Sequence, residues 1–203
     1  MTAQPVSTDT SQDAWLNKLF KEARTHFKWQ EKDVPESLLK ELFELVKMGP
    51  TSANCLPLRL VFVKTPEGKE MLKESLMEGN IEKTMTAPVT AIVAYDTEFF
   101  EDASKLYPHA DTKSWYEGKP KFAEKTALFN GTLQAGYMIM AARSLGLDCG
   151  PMTGFSADKV NELFFKDKPN YKATMLVNLG YGDASVLHPR SPKPDFEDYC
   201  QVV

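Results

Sequence analysis

The chain has 203 residues, 42% of them hydrophobic and 26% charged, the make-up of one ordinary globular domain. A chain of that length buries about 70% of its unfolded surface, and its formal net charge of −4 argues against nucleic acid or an anionic membrane as partner. No run approaches the roughly 18 apolar residues of a membrane-spanning helix, and Met1–Asp9 has neither the basic start nor the apolar core of a secretory signal.

Residues 1–203 are expected to form a single domain in which 1–11 are a frayed tail. Spacing of Trp15, Leu16, Leu19, Phe20 and Ala23 predicts an amphipathic helix over 12–24. A second helix starts at Pro35, carries Leu38, Leu39, Leu42, Phe43, Val46 and Met48, and stops at Gly49. The turn Pro50-Thr51-Ser52-Ala53-Asn54-Cys55-Leu56-Pro57 follows, rich in hydroxyl and amide groups that can donate hydrogen bonds. Leu58–Val63 reads as a buried strand, 65–76 as a helix opened by Thr65-Pro66, and Val89–Tyr95 as a second strand. Residues 97–121 have weak periodicity and form an irregular or short-helical excursion, whereas 122–145 predict a long, central, largely buried helix. Gly150-Pro151-Met152-Thr153-Gly154 reads as a turn, Ser156 as the cap of a short helix around 160–165, and Thr174–Leu179 as a third strand. Many helices around a sheet of three or four strands define an α+β chain, with the residues from Asp195 onward free to pair with another subunit.

Metal chemistry is not expected, because His26, His109 and His188 lie far apart and none has a ligand-spaced partner. Cys55, Cys149 and Cys200 make neither a disulfide framework nor a Cys-x-x-Cys site, which points to a reducing cytoplasm. Cys55 beside Pro57 could be a nucleophile, but a free cysteine more often packs as a small hydrophobe. Gly180-Tyr181-Gly182 mimics a dinucleotide fingerprint, yet the chain ends at Val203 without room for the helix, strand and acidic residue that fingerprint needs.

Four polar clusters remain. Arg24-Thr25-His26 with Lys28 closes the first helix, and Asn80 and Lys83 sit one helical turn apart. Arg190 and Lys193 lie in a proline-stiffened tail, and the small residues of Gly150–Gly154 let backbone N–H groups approach a ligand. Together they suit a phosphorylated heterocycle.

This ordered set resembles the FMN-dependent nitroreductase family, over nearly the whole chain. Arg24 with Lys28 resembles its phosphate-binding block, and Pro50–Asn54 its Pro-Ser-Ser-x-Asn turn. Asn80 and Lys83 resemble its flavin-edge pair, Pro151–Phe155 its N5 turn, and Arg190 with Lys193 its closing cationic pair. Arg24-Thr25-His26, Asn54-Cys55, Tyr107-Pro108-His109, Ser114-Trp115 and Gly150-Pro151-Met152 further resemble the malonic semialdehyde (3-hydroxypropionate-forming) reductase branch of pyrimidine breakdown. Two departures stand out: Leu56 replaces the family's glutamine, and Thr153 the glutamate of the N5 turn.

The resemblance implies a three-layer α-β-α sandwich with a small, mostly antiparallel sheet, and a homodimer that exchanges its C-terminal tail. It implies FMN held by Arg24, Thr25, His26, Lys28, Ser52, Asn54, Asn80, Lys83, Pro151, Thr153, Gly154, Arg190 and Lys193. Ser52 and Asn54 would serve the partner's flavin. NADH or NADPH would be the donor in a ping-pong hydride transfer through flavin N5 to a small aldehyde. His109, Tyr107, Tyr116 or a water could protonate the nascent alkoxide. A broad nitroarene or quinone reductase, and a flavin-binding module without turnover, are the alternatives.

Overall fold

Four strands form one antiparallel sheet: β1 (Leu58–Val63), β2 (Val89–Asp96), β3 (Asp148–Met152) and β4 (Tyr171–Gly180), in spatial order β1-β2-β4-β3. They belong to a computed structural model that describes residues 10–203. The helices are α1 (Thr10–Leu16), α2 (Glu36–Val46), α3 (Pro66–Lys73), α4 (Glu78–Met85) and α5 (Ala103–Leu106). They continue with α6 (Pro120–Ser144), α7 (Ala157–Phe164) and α8 (Phe196–Tyr199). Of the tail expected over 1–11, residues 1–9 lie outside the described residues, and Thr10 and Ser11 already belong to α1.

The pleat sorts each strand between two cores, because successive side chains point to opposite faces. Ala91 and Val93 of β2 join Val177 and Leu179 of β4 under α2 and α6, against Leu42, Val46 and Met138. Ile92 and Ala94 turn the other way, with Leu176, under Leu72 of α3 and Val160 of α7. Two helical layers thus cover both faces, which makes the expected three-layer sandwich. Each fully buried Leu, Ile or Val contributes about 1.5–3 kcal/mol. β2 is buried along its whole length, so it reads as continuous apolar sequence rather than as an alternation.

β3 corrects the expectation of a turn over Gly150–Gly154. Its Gly150 and Pro151 are poor residues for a central strand, but β3 lies at the sheet edge, where proline is tolerated. Gly150 is required by packing, since a Cβ there would lie 2.5 Å from the His26 carbonyl oxygen.

The long helix α6 also differs from expectation. Ala127, Ala135, Met138 and Ala142 are buried, but Phe122, Leu128, Phe129 and Leu133 face outward, with Phe129 64% exposed. The apolar circumference therefore has two faces, and the sheet covers one. The first helix is likewise shorter than predicted: α1 gives way at Asn17–Lys21 to a π turn, and Trp15 and Phe20 are exposed.

Candidate functional site

The site is assembled by the segment that follows the first helix. Thr25 and Trp29 bridge to Cys149 and Gly182, and the His26 N–H donates to the Cys149 carbonyl at 3.0 Å. The His26 ring is buried against Gly182, with Nε2 3.4 Å from Asp148 and Nδ1 without a hydrogen-bond partner. Gly180 and Gly182, the false dinucleotide motif, thus lie against Trp29 and His26.

The C-terminal segment returns over this strip. The Arg24 guanidinium donates to the His188 carbonyl, and Arg190 donates to the Ala23 carbonyl at 3.0 Å. The Phe27 and His188 rings stack at 5.8 Å. This clasp borders an open cavity of about 400 Å³ lined by Arg24, Arg143, Arg190, Lys193 and His188, with no carboxylate among its lining residues. Among the described residues none of the four Arg and Lys side chains forms an ion pair. Their guanidinium hydrogen bonds go to backbone carbonyls, so the positive charge is left for an anion.

A second cavity of about 270 Å³ shares Thr25, Phe27 and His188 with the first and adds His26, Lys83, Gly150 and Pro151. A cation-lined space and a less polar one thus adjoin. α4 supplies Lys83, and its Asn80 donates through Nδ2 to the Gly154 carbonyl at 2.7 Å. Trp29 Nε1 and Asn178 Nδ2 both donate to the Lys83 carbonyl at 3.0 Å.

Of the residues singled out from sequence, Arg24, Thr25, His26, Lys83, Pro151, Arg190 and Lys193 line these joined cavities. Asn80 and Gly154 are bonded to each other but line neither cavity, and Thr153, between Gly154 and β3, is exposed and lines neither. Lys28 instead pairs with Glu82, whose carboxyl it holds below the usual range through their hydrogen bond. Arg143, Phe27 and His188 were not part of the sequence-level set; Arg143 hides in the last turn of an apolar helix.

Ser52, Asn54 and His109 lie elsewhere and line neither cavity. The Ser52 N–H donates to Asn130 of α6 at 2.9 Å, and Tyr137 of α6 donates to the Pro50 carbonyl. Ala53, Asn54 and Leu56 take positive φ values of 48, 51 and 39°, a left-handed backbone that costs roughly 1–3 kcal/mol per residue. Arg59 grips this turn through the Leu56 carbonyl and is itself locked to buried Asp96 at 2.6 Å. His109 is exposed, with its ring edge-on to Tyr107. Cys55 is buried in this region and its thiol is pushed up to about 11 by desolvation, which removes the nucleophile reading.

A nitroreductase-family profile matches residues 21–181, and the chain belongs to the nitroreductase family, a family of oxidoreductases. Two curated relatives bear the name "Putative NADH dehydrogenase/NAD(P)H nitroreductase". One, from Ralstonia nicotianae, is 52% identical over 96% of this chain and 99% of its own length. The other, from Polynucleobacter asymbioticus, is 51% identical over 93% of this chain and 95% of its own length. A crystal structure from Exiguobacterium sibiricum, solved in complex with FMN, superposes with a TM-score of 0.83 at 18% identity, covering 100% of both chains. Among the described residues no helix is long and apolar enough to cross a membrane, and no three His, Cys, Asp or Glu side chains cluster to hold a metal ion.

Proposed function

We propose that this protein is an FMN-dependent NAD(P)H oxidoreductase that acts on a small molecule. The observation that carries the reading is the carboxylate-free cation cluster opening onto a less polar cavity. Arg24 and Arg190 offer planar forks for phosphate oxygens, Lys193 adds a point charge, and Arg143 adds a fourth cation. Thr25, which lines both cavities, and His26 would hold the cofactor between its phosphate and its ring, and Phe27 and Pro151 would lie against the ring. Lys83 would hold the pyrimidine edge and favour negative charge there. Asn80, Thr153 and Gly154 would hold the N5 side through amide and backbone donors. Bound FMN supplies hydride acceptance and donation, which no protein side chain provides. Relatives support the cofactors: the Exiguobacterium structure was solved in complex with FMN, and the curated proteins are named for NAD(P)H.

The active unit in this reading is a homodimer in the cytoplasm. Its support is the uncovered apolar face of α6 at Leu128, Phe129 and Leu133, on the helix against which the Ser52–Asn54 turn leans. Dimerisation would carry Ser52 and Asn54 to the partner's flavin, while the exposed residues 195–203 reach across as an exchanged tail. Lys28, paired with Glu82, would brace the site from outside.

For the substrate, the branch resemblance supports reduction of malonic semialdehyde to 3-hydroxypropionate, with His109 as proton donor. The relatives' names favour a second reading, a broad NAD(P)H nitroarene or quinone reductase. A steady-state panel of malonic semialdehyde, a nitrofuran and a quinone with each nicotinamide separates them. The semialdehyde reading predicts the highest kcat/KM for the aldehyde, and comparable values for all three support the broad reductase. A protein that is colourless and cannot be reconstituted with FMN contradicts both.

A further inference from the structure

Lys69 of α3 is a lysine only 4% exposed. Its ammonium donates to the Thr84 carbonyl at 2.8 Å and to Thr90 Oγ1 at 2.6 Å, and forms no ion pair among the described residues. Thr90 passes the connection on, donating to Asn178 Oδ1 at 2.7 Å, and Asn178 Nδ2 donates to the Lys83 carbonyl at 3.0 Å. Thr90 and Asn178 are direct cross-strand partners in β2 and β4, so the relay is fixed in the sheet register. Lys69 thereby reaches two carbonyls in the last turn of α4, directly and through two side chains. The Lys83 carbonyl is among those a helix C-terminus leaves without an intrahelical partner, the Thr84 carbonyl also accepts the Ala87 N–H at 3.3 Å, and a cation suits a helix C-terminus.

Stability alone does not account for this lysine. Desolvation pushes its ammonium down to about 7, so the charge is held at a cost. An apolar side chain of similar volume is often neutral or stabilising in place of a buried charge.

We propose that Lys69 is a positioning residue of the site: it fixes the C-terminal end of α4 through Thr84, Thr90 and Asn178 and so presents Lys83 to the cavity lined by Thr25 and Pro151. The inference rests on the FMN reading above. It assigns to a side chain outside the cavity the orientation of one inside it.

The test is FMN binding followed by flavin fluorescence, with melting temperatures of the FMN-free proteins, for wild type, Lys69→Met, Lys83→Met and the double variant. Lys69→Met is expected to bind FMN at least tenfold more weakly with an equal or higher melting temperature. Lys83→Met should cost about tenfold in the wild type but less than threefold beside Lys69→Met, because its side chain is already misplaced there. Thr90→Val, which cuts the relay and leaves the Thr84 contact, should weaken FMN at least threefold, and it replaces Lys69→Met in the cycle if that variant is insoluble. Wild-type affinity in Lys69→Met and Thr90→Val, or losses that multiply in the double variant, overturn the proposal while the cofactor reading stands. A wild-type protein that binds no FMN overturns both.

Discussion

Asn80 and Gly154 hold each other across the junction of α4 and β3: the side-chain amide donates to the glycine carbonyl at 2.7 Å, and a Cβ on the glycine would lie 2.3 Å from that same nitrogen. The bond and the missing side chain are one device. Gly154→Ala must push Asn80 out, since the colliding atom is the free end of a side chain. The lost bond is worth about 0.5–1.5 kcal/mol, so the melting temperature should fall by about 1–6 °C. FMN affinity, measured by fluorescence titration, should fall about tenfold. An unchanged affinity would remove Asn80 from the site.

Lys69 gives a pH signature with a definite sign. Its folded pKa, about 7, lies below the 10.5 of an ordinary lysine. Below pH 7 both states are charged and the full cost of burial applies. Between about pH 7 and 10.5 the unfolded chain binds the extra proton, so stability contributed by this site rises with pH. The stability difference between wild type and Lys69→Met, from urea melts at pH 7, 8 and 9, should therefore move in favour of the wild type by about 1.4 kcal/mol per pH unit. A flat difference contradicts the depressed pKa.

Burial pushes the Cys149 thiol up to about 12 and the Cys55 thiol to about 11, whereas Cys200 is exposed. Thiolate is the reactive form. Iodoacetamide at pH 8 should therefore label Cys200 alone in the native protein and all three cysteines after unfolding, by mass spectrometry. Cys55→Ser should keep its turnover.

Phe129 and Leu133 lie four residues apart on the uncovered side of α6, 64% and 46% exposed. Sedimentation should find two chains per particle in the wild type. Phe129→Lys with Leu133→Glu should give one chain and lose FMN, since Ser52 and Asn54 of the second chain are then missing. A variant that stays dimeric places the interface elsewhere.

The sheet interior was legible in the sequence because β1 and β2 are short apolar runs bounded by turn residues. β3 was not, because its Gly150 and Pro151 answer to His26 and to the sheet edge, neither visible locally. Arg24, Lys83, Arg190 and Lys193 could be grouped from their clusters and the family resemblance; Arg24, Arg190 and Lys193 share one cavity and Lys83 lines the adjoining one. Arg143 and Lys69 escaped notice because each sits in a helix whose surroundings only the tertiary structure supplies. The apolar pattern of α6 reads as burial on most sides, whereas Phe122, Leu128, Phe129 and Leu133 are exposed, since the sheet covers one face alone.

The most direct test of the account is anaerobic rapid mixing of the FMN-loaded protein with NADH or NADPH, followed by the second substrate. The account predicts that at least one nicotinamide bleaches the flavin band completely within the turnover time, and that malonic semialdehyde or a nitroarene restores it. A flavin that binds yet is bleached by neither nicotinamide would contradict the proposed oxidoreductase.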